Sequence, residues 1–202
     1  MRAIVRILMT VLLLLASSLT HASVRYEIGG GLAVPLWPEG LRENWSFGPN
    51  LALGASFDAG HELEGALLMD VSTFGLEHKD DCRTGVLEGG RVTHLSITAN
   101  VRTYATGMKG STKPFLMAGG GYHSFGISEL KDVCEGGSTR WPDSKEDGVA
   151  VVMYGGGLKF PVTRAIEALA QVYLMESWST EHGTTSRTFV LRALLRPVRG
   201  WF

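Results

Sequence analysis

His94 and Ser96 stand two residues apart, so on a strand they share one face. An imidazole beside a hydroxyl can take its proton and make it a nucleophile. No third, orienting acid is identifiable from the spacing around them. A second set of groups suits acyl transfer at a surface: His78 with Asp80 and Asp81, and His182 with Glu181 and Ser186. The histidines His61, His78, His94, His123 and His182 lie on separate segments, without a ligand spacing such as His-Glu-x-x-His. The acidic trio Glu77, Asp80 and Asp81 reads as a hydrated loop. The glycine runs at 29–31, 119–121 and 155–157 lack the lysine and the strand-to-helix setting of a phosphate loop. No cofactor and no metal is therefore expected.

The remaining chemistry is ionic. Glu27, Glu64, Asp70 and Glu167 carry negative charge in stretches that otherwise read as strands. Arg102, Lys159 and Arg192 carry positive charge in similar stretches, with His94 and Asn100 as further polar members. Glu62 brings the negative set to five and Arg25 and Arg196 bring the positive set to five, and equal numbers of both signs permit a paired interior network, which a buried lumen requires.

Those residues need elements to hold them. The chain has 202 residues, of which 26 are Gly; 45% are apolar, 19% are charged, and the formal net charge is −1. Such a balance excludes a disordered chain, and the absence of a polybasic block gives no footprint for nucleic acid. Residues 1–22 read as a cleaved secretory signal. Arg2 and Arg6 form the positive end, Ile7 to Ala16 the apolar stretch, and Thr20-His21-Ala22 the small-residue cleavage site. Residues 23–202 form one expected domain.

From there the dominant period is two, in eight segments at about 24–34, 47–58, 61–73, 91–104, 113–126, 149–160, 166–178 and 187–197. Each has the length a tilted strand needs to cross a bilayer. Connections alternate long and short, with long ones at Pro35 to Ser46, Gly75 to Gly90, Ile127 to Gly148 and Ser179 to Ser186. The prediction is an all-β fold, an eight-stranded antiparallel up-and-down β-barrel of transmembrane type. All long loops then share one end, and the short turns and both termini share the other.

Three features put the polar face inside. Glycines Gly29, Gly31, Gly48, Gly54, Gly119, Gly121, Gly155 and Gly157 fall on the polar parity, where small residues suit a narrow interior. Both charge signs fall there too, including Arg25 and Arg196. Tyr26, Phe47, Phe57, Tyr122, Phe160 and Phe189 fall on the apolar parity near segment ends, as an interfacial girdle would. The opposite orientation defines the alternative, a soluble periplasmic or secreted barrel around an apolar ligand.

The stretches Tyr26 to Gly31, Lys113 to Tyr122 and Tyr154 to Leu158, with the terminal Phe202, resemble the small outer-membrane β-barrel proteins of Gram-negative bacteria, the OmpA/OmpX-like group. The resemblance is one of pattern and covers nearly all of residues 23–202. It implies an outer-membrane location, contact with outer-membrane lipid, and recognition of Trp201 and Phe202 by the barrel-assembly machinery. Pro197 departs from that pattern, since it cannot donate a ladder bond. Phe202 also has the parity of Arg192 and Arg196, and a bulge near Pro197 would restore the phase. The outer-membrane lipid A deacylases place a His-x-Ser pair on a barrel strand. That makes a hydrolase using His94 and Ser96 the enzymatic alternative, with an acyltransferase beside it, to a non-enzymatic barrel.

Cys82 and Cys134 sit in the second and third long connections, at one end of the meander. In an exported protein they are expected to join in a disulfide. Closing that loop stabilises by roughly 4 kcal/mol in the chain-entropy model. An external ligand, if there is one, is expected at these two loops.

Overall fold

The computed structural model describes residues 23–37, 46–60, 62–75, 87–89, 91–106, 111–127, 130–132, 139–141, 144–178 and 185–198. The expected signal segment, Cys82, Cys134, Trp201 and Phe202 lie outside these residues. Among the described residues eleven strands follow one another in chain order. Eight of them are β1 (Val24–Trp37), β2 (Gly48–Gly60), β3 (Leu63–Gly75), β5 (Arg91–Tyr104), β6 (Lys113–Ile127), β9 (Ser144–Pro161), β10 (Ile166–Trp178) and β11 (Thr185–Pro197). They close into a barrel in the order β1-β11-β10-β9-β6-β5-β3-β2, every neighbour antiparallel.

The strands form because side chains of opposite character alternate without a break. On β5 burial alternates at every residue, with Val92, His94, Ser96, Thr98, Asn100, Arg102 and Tyr104 inside. Following paired residues around the barrel from Arg25 through Ser56, Ala66, Asn100, Gly119, Met153, Met175 and Thr188 returns to β1 at Pro35, ten residues along. A stagger of that size over eight strands tilts them by about 40° from the barrel axis.

The inward glycines have a sharper cause than the small interior invoked above. A Cβ on any of the eight named there would stand 1.6–2.5 Å from a carbonyl oxygen of the adjacent strand. The seams involved are β1–β11, β9–β10, β5–β6 and β2–β3, every second seam around the barrel. The sheet thus bends sharply at four corners, and glycine is what lets the backbones close there. On the outside, Phe57 lies across Gly65, whose Cβ would meet the ring at 2.4 Å.

Three further strands, β4 (Leu87–Gly89), β7 (Leu130–Asp132) and β8 (Thr139–Trp141), form a sheet in the order β4-β7-β8. This sheet prolongs one wall of the barrel. Leu87 opposes Asp132 in the same register in which Val92 opposes Ile127, and Leu130 opposes Trp141 as Ile127 opposes Ser144. So β4 continues β5, β7 continues β6, and β8 continues β9. The sequence reading placed Ile127 to Gly148 in a loop; β9 in fact starts at Ser144, and both β7 and β8 fall in that stretch. The residues beyond Val198, where a bulge would restore the phase of Phe202, lie outside the described ones. The described register shifts lie at Pro35/Trp37, Asp58/Gly60 and His123/Phe125, while Pro197 ends β11 in register with Ile166.

The interior is mixed, where the sequence reading made it polar. Leu68, Leu169 and Leu194 are fully enclosed beside Met153, Met117, Val190 and Tyr173. The outside is apolar: Ile28, Leu51, Leu53, Leu67, Ile97, Leu116, Leu191 and Leu195 are all exposed.

Candidate functional site

The short-turn end of the lumen is filled by ions. Arg102 on β5 reaches across to Glu27 on β1 with two parallel bonds, Nη1 to Oε1 at 2.6 Å and Nη2 to Oε2 at 2.8 Å. The same Nη1 meets Glu64 Oε1 at 2.7 Å. Arg196 is the hub. Its Nη1 lies 2.9 Å from Glu27 Oε1, 2.7 Å from Glu64 Oε2 and 3.0 Å from Ser56 Oγ, and its Nε lies 2.6 Å from Glu167 Oε1. The Tyr104 hydroxyl accepts from Arg196 Nη2 and donates to Glu64 Oε1 at 3.2 Å. Arg25 pairs with Asp58 and, at 3.0 Å, with Glu64 Oε2. Lys159 sits over the Tyr104 ring, 4.1 Å from its centroid.

Three guanidinium groups thus meet four carboxylates, with the Lys159 ammonium beside them on the Tyr104 ring. Arg102, Glu27 and Glu64 are almost wholly withdrawn from solvent. Charges so enclosed are tolerable only when each is answered by an opposite charge and good hydrogen bonds. Nearer the middle, Arg192 pairs with Asp70 across the barrel and donates Nε to Gln171 Oε1 at 2.8 Å. Its guanidinium lies over the Tyr173 ring at 4.7 Å.

Of the polar residues read from sequence, Glu27, Glu64, Arg102 and Glu167 come together in the lower network, and Asp70 and Arg192 in the upper one. Lys159 joins the lower group through a ring. Asn100 is inside but joins neither network; its amide atoms have no hydrogen-bond partner among the described residues. His94 is buried toward the long-loop end, with its ring 4.6 Å from His123 and 4.8 Å from Phe74. Ser96 is buried beside it on the same face. Both point into the lumen, away from the outward face where a lipid acyl chain would lie.

The sequence reading puts Arg25 and Arg196 on the inward face but leaves Tyr104, Tyr173, Gln171 and His123 out of the lumen network. All six share the parity of their strands' inward faces. Arg196, four residues from Arg192, carries the clearest signal of the six.

The closed eight-stranded barrel is found in known proteins. No protein-family model and no curated protein sequence matches the chain. Among solved structures, it is similar to Neisserial surface protein A, at 16% identity and a TM-score of 0.56, covering 87% of this chain and 96% of that one. It is similar also to a major outer membrane protein from Thermus thermophilus, at 12% identity and a TM-score of 0.52, covering 87% of this chain and 99% of that one. The fold is therefore that of the small outer-membrane β-barrels.

Proposed function

We propose that the chain is a non-enzymatic outer-membrane barrel, closed to solutes by its own side chains and presenting its long-loop end to the outside. One observation carries this reading: the polarity is inverted, with an ion network across the lumen and an apolar belt around the wall. In water that belt would be an aggregation surface; against lipid tails it is matched. The lumen side chains leave no open channel where Arg102 and Arg196 cross it.

In this reading residues 1–22 direct export. Outer-membrane lipid covers the belt, the barrel-assembly machinery meets Trp201 and Phe202, and any external ligand is met by the second and third long loops. Cys82 precedes β4 and Cys134 follows β7, and the pairing of those two strands supports a disulfide between the loops.

Refolding of residues 23–202 tests the reading. The protein should require detergent or lipid, and should migrate differently on gels before and after heating. A folded monomer that stays in plain aqueous buffer would overturn it. The same native preparation should carry no thiol reactive to maleimide.

A further inference from the structure

At the short-turn mouth of the barrel a pocket of about 130 Å³ opens between Asp58, Glu62, Leu63, Tyr104, Lys113 and Lys159. We propose that it binds a small zwitterion, a ligand of the α-amino acid type carrying ammonium and carboxylate close together.

The charges around the pocket are sorted by strand. Asp58 is on β2 and Glu62 in the turn that follows, whereas Lys113 opens β6 and Lys159 is near the end of β9. Tyr104 of β5 stands between the two sides. Among the described residues the ion pair that crosses between them is Lys113 to Glu62, at 3.8 Å. That is long for a charge-assisted bond.

Two groups have interactions to spare. Glu62 Oε2 is buried without a hydrogen-bond partner among the described residues. The Lys159 ammonium rests on the Tyr104 ring, with no carboxylate at ion-pair distance among the described residues. Backbone geometry holds Glu62 in place. Its φ is +63°, a left-handed conformation that side-chain-bearing residues seldom adopt, and its carbonyl accepts the Tyr104 N–H at 2.9 Å.

Asp58 is already paired with Arg25, and counted with the network beneath it the mouth sets five cations (Arg25, Arg102, Lys113, Lys159 and Arg196) against five carboxylates (Glu27, Asp58, Glu62, Glu64 and Glu167), so a lone anion or cation would unbalance it. A zwitterion keeps the balance, turning its ammonium to the β2–β3 side and its carboxylate to the β6–β9 side. The volume equals that of roughly four waters at about 30 Å³ each, which accommodates an amino acid of about alanine's size. So small a ligand in an open pocket should bind with Kd on the order of 1 mM.

The test is NMR of residues 23–202 refolded in detergent, with labelled lysine and tyrosine. Alanine is titrated beside acetate and methylammonium, its two halves. Alanine should shift the Lys159 and Tyr104 signals saturably, with each half at least about tenfold weaker. Lys159→Met and Glu62→Gln should each weaken alanine binding about tenfold. Lys113→Met, at a half-exposed position outside the ion network, should weaken it as well and guards against misfolding of the other two. No saturation by about 100 mM would mean a merely hydrated mouth. Acetate equal to alanine would mean a simple anion site, and unchanged binding in all three variants would place the ligand elsewhere. Each of these three results would overturn the proposal.

Discussion

Arg102 and Glu27 sit on strands that are not neighbours, and each is nearly sealed from solvent. Removing one of them takes the bidentate partner from the other, leaving a buried charge only partly answered, by Glu64 for Arg102 or by Arg196 for Glu27. Arg102→Met should therefore cost about 3–5 kcal/mol in urea unfolding from lipid vesicles. Glu27→Gln alone should also be costly, because Arg196 leans on the same oxygen. The double variant should recover part of the loss, since the two penalties share one cause. Simple additivity of the two costs would mean that the bidentate pair is not coupled in the folded protein. This scale was partly legible in advance. Parity showed that Glu27, Glu64 and Arg102 face inward, but which of them meet depends on the ten-residue stagger of the barrel. Arg196 became the hub for that reason, though nothing in its own neighbourhood in the chain points to Glu64 on β3.

At the scale of elements the corner glycines make a direct comparison possible. A Cβ at Gly121 would stand 1.9 Å from the Ile97 carbonyl oxygen, a backbone atom held by its own strand pairing. At Gly75 the nearest atom to such a Cβ is the Ser46 hydroxyl oxygen, at 3.8 Å. Gly121→Ala should cost about 2–3 kcal/mol, as overpacking does, and Gly75→Ala less than about 0.5 kcal/mol. Equal costs would remove the corner argument. Glycine content and parity were visible in the sequence, but their reason was not, because alternation says which side a residue faces and nothing about how sharply the sheet turns there. The same limit hid the prolonged wall. Alternation weakens after Ile127, where Ser128, Glu129, Lys131 and Asp132 read as loop, yet β7 keeps the register set by β6. Register inherited from a long hairpin carries the pairing beyond the point where side-chain pattern would specify it.

For the whole molecule the deciding question is what surrounds the belt. Along β3 the outward residues Leu63, Gly65, Leu67, Met69 and Val71 give way to Thr73, and along β11 Leu195, Ala193, Leu191 and Phe189 give way to Arg187. Seven to nine residues tilted by about 40° span roughly 20 Å of height, close to the apolar band of an outer-membrane barrel. Arg187 then meets Glu176 at 3.0 Å on the upper border, where charge is cheap. Leu53 is exposed near mid-height, and Thr103 is exposed at the short-turn border. In lipid, Leu53→Arg should cost about 2–4 kcal/mol and Thr103→Arg about 0–1 kcal/mol, measured by reversible unfolding from vesicles. In water neither substitution would matter, because an exposed leucine gives up nothing by becoming charged. A flat profile between the two positions would show that the belt does not face a bilayer, and the inverted polarity would then need a protein partner to cover it. A steep one would tie the fold, the alternation and the ion-filled lumen to a single cause: a wall that must be apolar outside leaves the interior as the only place for its charges.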